Sequence, residues 1–246
     1  STYGSLIAAR TLRRAADRGM DPLDLWAAER PVIRGEMSTG GAEATKSEQE
    51  LRQKVQNVLD TALQDNSSQL KERLQDVQPW IREVLKDRLG LDLDGYAFSM
   101  DAYAVRHILK RHGDAKKEER QGQLAITPQD IAMFPDVVQN PDRIIANIKN
   151  NRGQEVVGFI KVLGDGSTLV VSEVRTGRKE FALTSARKYP PRANAAAIDA
   201  SLALNVRNDD GNGPIVIDVK EHFKQTTRGS YTPATDTIKL FEAADL

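Results

Sequence analysis

The spacing of apolar residues changes along this chain, from helical intervals in the first part to strict alternation after about residue 150. Three alternating runs follow, at 155–163, 168–174 and 180–186, and short turns that contain glycine separate them. Short glycine turns between alternating runs are typical of antiparallel hairpins. The pattern therefore predicts an α+β fold in which helices come first and an antiparallel sheet follows.

The clearest helical periodicity lies before the sheet, at 47–92. The sequence DNSS at 65–68 interrupts the pattern, and Pro79 is expected to kink or restart the second helix. A polar break between two amphipathic segments suits a reversal of the chain. We therefore expect an N-terminal helical hairpin, whose second helix includes the apolar residues Leu70, Leu74 and Val77.

Composition divides the rest of the chain into further parts. Residues 1–46 read as a basic helix and a glycine-rich linker, 96–190 as a compact α+β domain, and 191–246 as a linker and a C-terminal segment leading to a further domain. The sequence starts within a helical pattern and without Met. We expect it to be part of a larger polypeptide.

Charge and residue usage exclude several kinds of site. Lys plus Arg and Asp plus Glu both number 35, but residues 101–188 hold 15 of the former against 11 of the latter, a net charge of +4. The absence of Cys excludes disulfides, thiolate metal sites and a cysteine nucleophile. No apolar run approaches the roughly 20 residues that a membrane span needs, so no membrane partner is expected.

Two of the three histidines, His107 and His112, lie in one predicted helix. They are five positions apart, so their side chains diverge by about 140° and do not form a helical metal-ligand pair. We expect no metal site and no cofactor. His112 precedes Gly113, where the helix should end, and can reach an adjoining cleft. His107 lies beside apolar positions and can be held against the core. The alternative is that both are ordinary surface histidines.

The order of motifs in 96–190 resembles that of a known family. RHILKRHG is followed by a TPQDI helix, a PDVVQNPD turn and the strands of SEVRTGRKEFALTSARK. This order is similar to that of the phage barnase–EndoU–colicin–RelE-like RNases, toxin-type nuclease domains of phage and mobile-element polyvalent proteins. The resemblance implies helices packed on a four-stranded antiparallel sheet. It also implies metal-free cleavage of RNA through the neighbouring 2′-hydroxyl.

Such cleavage needs a base for the 2′-hydroxyl, an acid for the leaving 5′-oxygen, and positive charge on the phosphate. Histidine suits both proton roles near neutral pH, and Arg or Lys can stabilise the phosphoryl oxygens. Carried over residue by residue, the resemblance implies a catalytic set of His107, His112, Arg175, Ser185 and Lys188, in which either His107 or His112 matches the family's helix histidine. It implies a substrate-binding set of Glu173, Thr184 and Arg187.

The last strand raises the question of which side chains share a face. In an unbroken strand, Ser185 and Arg187 lie on the face of Phe181 and Leu183, whereas Thr184 and Lys188 lie on the other. Sequence alone leaves open which face lines a cleft. Without the resemblance, the basic residues here would be read as charges that protect an exposed sheet edge.

Two functions remain open. The first is a metal-independent, toxin-type endoribonuclease that cleaves RNA, with tRNA as a reasonable substrate and an immunity protein as a further partner. It would act in the cytoplasm of the host cell, encoded by a phage or mobile element and delivered with the virion in some cases. The second is a non-catalytic nucleic-acid-binding or virion-internal protein on a degenerate nuclease fold. The balanced net charge favours the second, because strong binders of duplexes are usually more basic.

Overall fold

The computed structural model describes residues 46–150, 152–203 and 213–230, which form eight helices and seven strands. The helices are α1 (Lys46–Gln64), α2 (Pro79–Leu89), α3 (Ala102–His112), α4 (Ala115–Glu119), α5 (Pro128–Ala132), α6 (Phe134–Gln139), α7 (Ala195–Ala203) and α8 (Val219–Ser230). The strands are β1 (Lys71–Asp76), β2 (Ala97–Asp101), β3 (Arg143–Lys149), β4 (Glu155–Val162), β5 (Thr168–Thr176), β6 (Glu180–Tyr189) and β7 (Ile215–Asp218). The predicted α+β class is confirmed.

The strands form one sheet of order β1-β2-β6-β5-β4-β3-β7. Strands β3 to β6 form an antiparallel meander, in which β4, β5 and β6 are the three runs predicted from alternation. The sheet is nevertheless mixed, because β2 joins β6 in parallel. It also exceeds the four strands that the family resemblance implied, since β1 and β2 pair beyond the edge of the meander.

The second half of the expected helical hairpin differs from the prediction. Strand β1 occupies the positions of Leu74 and its neighbours, and helix α2 begins only at Pro79. Residues of β1 alternate in exposure and pair with β2, with Lys71 opposite Asp101. The prediction of helix for this short segment was wrong because tertiary pairing with an open sheet edge outweighs its weak local preference.

The two faces of the sheet bury separate clusters of apolar side chains. One face packs under helices α1, α2, α3, α5 and α6 and is built around Phe98, Phe159 and Phe181, whose rings are stacked or meet edge to face. The other face packs under α7, through Ile198 and Leu202. Helix α1 therefore shares its core with the sheet. Independent folding of residues 47–92 stays a prediction, and the shared core weighs against it.

A β-bulge in β6 changes which side chains share a face. Ser172 of β5 pairs with Ser185, but the next residue, Glu173, pairs with Leu183, so Thr184 is an extra residue in β6. An extra residue shifts the two-residue alternation by one position. Arg187 therefore pairs with Val170 on the α7 side of the sheet.

The same shift moves Lys188 to the opposite face. Lys188 pairs with Leu169, which belongs to the face that holds Phe181 and Leu183. The assignment of Ser185 and Arg187 to the face of Phe181 was thus wrong, as was the assignment of Lys188 to the other face. The alternation rule assumes an unbroken strand, and the bulge breaks it.

The chain divides into two compact units, residues 45–217 and a second unit made of 1–44 with 218–246. Of the second unit, the structure describes 218–230, and this part contains α8. The basic helix and linker expected at 1–46 lie almost entirely outside the described residues. Among the described helices, none is both long and apolar enough to cross a membrane.

Candidate active site

Helix α3 ends at His112, and the chain then turns into the short helix α4. Asp114 caps α4 by accepting a hydrogen bond from the backbone N–H of Lys117, at 3.1 Å. This turn places Glu118 next to His112, with Glu118 Oε2 lying 3.1 Å from His112 Nδ1. The side chain of Glu118 is only 1% exposed and that of His112 is 12% exposed. A buried carboxylate therefore holds the imidazole.

The surroundings of His112 favour its neutral form. Burial lowers the pKa of His112, and the nearby charges of Arg187 and Arg111 lower it further. The hydrogen bond and charge of Glu118 oppose this effect without cancelling it. A histidine whose pKa lies below the ordinary value of about 6.5 is available as a proton acceptor at neutral pH.

Residues 123–126, which follow α4, connect His112 to the end of β6 through backbone hydrogen bonds. The N–H of Gln123 donates to the carbonyl oxygen of Glu118, at 2.9 Å, and that of Leu124 donates to the carbonyl oxygen of Lys188, at 2.8 Å. The N–H of Ile126 then donates to the carbonyl oxygen of His112, at 2.6 Å. The structure thus brings His112 close to the C-terminal end of β6.

Lys188, a predicted catalytic residue, forms an ion pair with Asp130. Lys188 Nζ lies 2.8 Å from Asp130 Oδ1, and both side chains are mostly buried. The other oxygen of Asp130 accepts hydrogen bonds from the backbone N–H and the hydroxyl of Thr127 in a capping box at the start of α5. The charge of Lys188 is therefore compensated, and its contacts fix α5 to the sheet.

Arg187, predicted to bind substrate, has no such compensation. It is half-buried, and among the described residues its guanidinium forms neither an ion pair nor a hydrogen bond. Its charge nevertheless reaches the imidazole, because it contributes to the lowered pKa of His112. An uncompensated cation whose charge acts on a neutral histidine can attract a phosphate group towards it.

Arg175 lies elsewhere in the sheet. It pairs with Phe181 near the turn between β5 and β6, and its Nε lies 2.6 Å from Glu155 Oε2. Phe181 and Arg187 are six positions apart in β6, which corresponds to about 20 Å of extended strand. The structure therefore does not bring Arg175 and His112 together.

The remaining predicted residues of β5 and β6 lie around the bulge. Ser185 and Thr184 are half-buried, and their hydroxyls make no hydrogen bond with another described residue. Glu173 is only 3% exposed, and burial raises its pKa well above the ordinary value. Its Oε2 has no hydrogen-bond partner among the described residues. A substrate-binding role for Glu173 stays a prediction that this burial does not support.

His107 lies on the outer side of α3. It is exposed, whereas its neighbours Val105 and Ile108 are fully buried, and its ring stacks on that of the exposed Tyr103 with a centroid distance of 6.2 Å. The expectation that His107 is held against the core was therefore wrong. The catalytic role of His107 stays a prediction. Within the described part of the chain, no group of three or more His, Cys, Asp or Glu residues could hold a metal ion.

Sequence reasoning missed two carboxylates of this site. Glu118 stands in the run AKKEER, which looks like a solvated stretch of alternating charge. Asp130 lies in the predicted TPQDI helix, but its ion pair with Lys188 joins residues 58 positions apart. The only signal in the sequence was that Glu118 follows His112 by six positions.

Comparison with protein families supports a nuclease-like domain in this region. Residues 75–196, about half of the chain, match the family model described as phage-Barnase-EndoU-ColicinE5/D-RelE like nuclease3. No curated protein and no solved structure matches the chain. The matched span contains His112, Glu118, Arg187 and the strands of the antiparallel meander.

Proposed function

We propose that the domain at residues 75–196, which matches the model of the phage-Barnase-EndoU-ColicinE5/D-RelE like nuclease family, is a metal-independent endoribonuclease centred on His112. The observation that carries the proposal is the contact between His112 and the buried Glu118, with the uncompensated Arg187 nearby. These three residues supply a proton acceptor, a group that orients it, and a cation for the phosphate.

In the proposed reaction, neutral His112 removes the proton from the 2′-hydroxyl of the RNA. The 2′-oxygen then attacks the adjacent phosphorus, and the bond between phosphorus and the 5′-oxygen breaks. The imidazolium formed in the first step returns its proton to the leaving 5′-oxygen. The products are a 2′,3′-cyclic phosphate and a free 5′-hydroxyl, so the proton balance closes without another reactant.

Glu118 acts in this scheme as a positioning residue. When His112 Nδ1–H donates to Glu118, the lone pair of the neutral ring lies on Nε2, which is then the atom that accepts the proton. The carboxylate also stabilises the imidazolium that forms during the reaction. Because Glu118 is buried, it holds the ring in one orientation with little competition from water.

Arg187 is proposed to bind the phosphate under attack. Its guanidinium presents several donors in a fixed plane, a geometry that suits two phosphate oxygens at once. Ser185 and Thr184, on the same strand, are proposed to hydrogen-bond a phosphate oxygen. Lys188 is proposed to fix the position of β6 through its ion pair with Asp130. Arg175 is proposed to contact RNA away from the cleaved bond.

The direct experiment incubates the purified chain with total RNA in the presence of EDTA. We expect fragments that end in 2′,3′-cyclic phosphate, which enzymatic end analysis distinguishes from 3′-hydroxyl ends. Cleavage that disappears in EDTA and returns with magnesium or zinc would contradict metal independence. The same digests, mapped by sequencing, show whether tRNA is the preferred substrate.

A second candidate is a non-catalytic nucleic-acid-binding protein on a degenerate nuclease fold. The observation that favours it is the compensation of several basic side chains, since Lys188, Arg175 and Lys71 all form ion pairs. Binding of RNA that stays intact in every buffer would support this candidate.

The setting of the domain is part of the same proposal. We place its action in the cytoplasm of a host cell, within a larger polypeptide of a phage or mobile element. An immunity protein is the expected partner of a toxin-type nuclease. Co-expression with neighbouring open reading frames, scored by relief of growth inhibition, tests that partner.

A further inference from the structure

A cavity of about 520 Å³ is lined by residues of α4, of the segment that follows α4, and of the segment that follows β6. Residues 122–125 form one part of its wall, and Glu119 and Arg192 form others. The same segment is tied to Glu118 and to Lys188 by backbone hydrogen bonds. The cavity is therefore anchored to the elements that carry the histidine and the uncompensated arginine. Its volume lies in the range that proteins use for small organic ligands.

One residue of the wall has an unmet hydrogen-bonding group. Gln123 is about nine-tenths buried, at 9% exposure, and its Oε1 is buried without a hydrogen-bond partner among the described residues. A buried polar atom without a partner is costly, and such atoms are uncommon in folded proteins. A ligand that turns the carboxamide towards itself would satisfy this acceptor.

The charged residues of the wall are also uncompensated. Among the described residues, neither the carboxylate of Glu119 nor the guanidinium of Arg192 has an ion pair or a side-chain hydrogen bond. An ionised carboxylate offers only acceptors, and a guanidinium offers only donors. The wall therefore combines one acceptor group, Glu119, with one cation suited to a phosphate, and the buried oxygen of Gln123 becomes a second acceptor when its carboxamide turns towards a ligand.

We propose that this cavity is a nucleobase subsite of the nuclease, and that Glu119 and Gln123 select a base with an exocyclic amino group over uracil. The proposal rests on the proposed function. Adenine, cytosine and guanine each present an amino group on the Watson–Crick edge, which acceptors can bind. Uracil presents one N–H between two carbonyl oxygens, which a carboxylate repels. Arg192 would hold the phosphate of the bound nucleotide.

The test is equilibrium binding of the four nucleoside 3′-monophosphates to the full chain, measured by calorimetry, with inorganic phosphate as a separate arm. These ligands carry no bond that the nuclease cleaves, so binding is measured independently of activity. We expect the three nucleotides with an amino group to bind about tenfold more tightly than uridine 3′-monophosphate, the effect of about one hydrogen bond to a charged group.

Two variants and a control make the result specific. Glu119→Gln changes an exposed side chain and should reduce the preference at least about threefold. Gln123→Leu keeps a similar size and should weaken the three preferred nucleotides. Gln121→Ala lies in the same segment outside the cavity wall and should change neither value.

The outcomes separate this inference from the proposed nuclease activity. Equal binding of all four nucleotides, a preference that Glu119→Gln leaves intact, or binding no tighter than that of inorganic phosphate would overturn the subsite while leaving RNA cleavage to be judged by its own assay. Conversely, selective binding by a chain that does not cleave RNA would support the subsite and contradict the nuclease.

Discussion

Nδ1 of His112 lies 3.1 Å from Oε2 of Glu118, a carboxylate with 1% of its side chain exposed. A buried carboxylate beside a histidine fixes the tautomer of the ring and favours its charged form. Burial of the histidine acts in the opposite direction and is the larger effect on its pKa. The pair therefore combines a fixed ring with a base that is neutral at neutral pH.

Glu118→Gln is expected to lower the pKa of His112 further, because the charge that raises this pKa is removed. NMR titration of the His112 ring should show this shift. The acid limb of the pH profile for RNA cleavage should move to lower pH, since the neutral ring would persist to lower pH. The rate on the plateau should fall about tenfold or more, as the ring loses its orientation and the imidazolium its stabilising charge.

Glu83→Gln provides the matched control for this variant, because Glu83 of α2 is an exposed carboxylate outside both the site and the cavity wall. It should leave the pH profile in place. An unchanged profile in Glu118→Gln would show that the buried carboxylate is structural alone.

Arg187→Ala is expected to reduce cleavage by about 10²-fold, because the phosphate loses an uncompensated cation. Arg175→Ala should have a much smaller effect, since Arg175 is paired with Glu155 and lies about 20 Å further along the sheet. Measuring both variants at matched folding, by circular dichroism, tests the arrangement of the site. A larger loss of cleavage in Arg175→Ala than in Arg187→Ala would indicate that the active site lies at the opposite end of the hairpin.

Glu173→Gln is expected to stabilise the protein at neutral pH. Burial raises the pKa of Glu173 in the folded state, so the unfolded chain loses this proton at lower pH than the folded chain does. Stability therefore falls as pH rises above about 4.3, the ordinary pKa of glutamate, by about 1.4 kcal/mol for each unit of pKa difference. Gln has no proton to lose and avoids this penalty.

Urea unfolding at pH 4 and pH 7 measures this effect. The gain in free energy of unfolding for Glu173→Gln should be larger at pH 7 than at pH 4. A gain of the same size at both pH values, or a loss at pH 7, would show that the carboxylate is compensated in the folded protein.

The sequence predicted the α+β class and three strands of the meander because alternation and glycine turns are local signals. It failed at Lys71–Asp76, where pairing with β2 decides the structure. The prediction of which side chains share a face of β6 was also wrong, because no local signal in ALTSARK indicates that Thr184 is an extra residue.

The sequence likewise indicated some residues of the candidate site and not others. His112 stood out through its position before Gly113, and Arg187 through its place in a basic strand. Glu118 and Asp130 were not predictable as members of the site, because their roles depend on burial and on contacts between distant segments. Arg175 was placed with His112 by motif order, whereas the register of the sheet separates the two.

The most direct test of the proposed function compares RNA cleavage by His112→Ala and His107→Ala in EDTA, with folding matched by circular dichroism. Both variants lose one histidine of the same helix, but only His112 contacts a buried carboxylate. We predict a loss of about 10²–10⁴ in rate for His112→Ala and nearly unchanged cleavage for His107→Ala. Full activity in His112→Ala would contradict the proposed site.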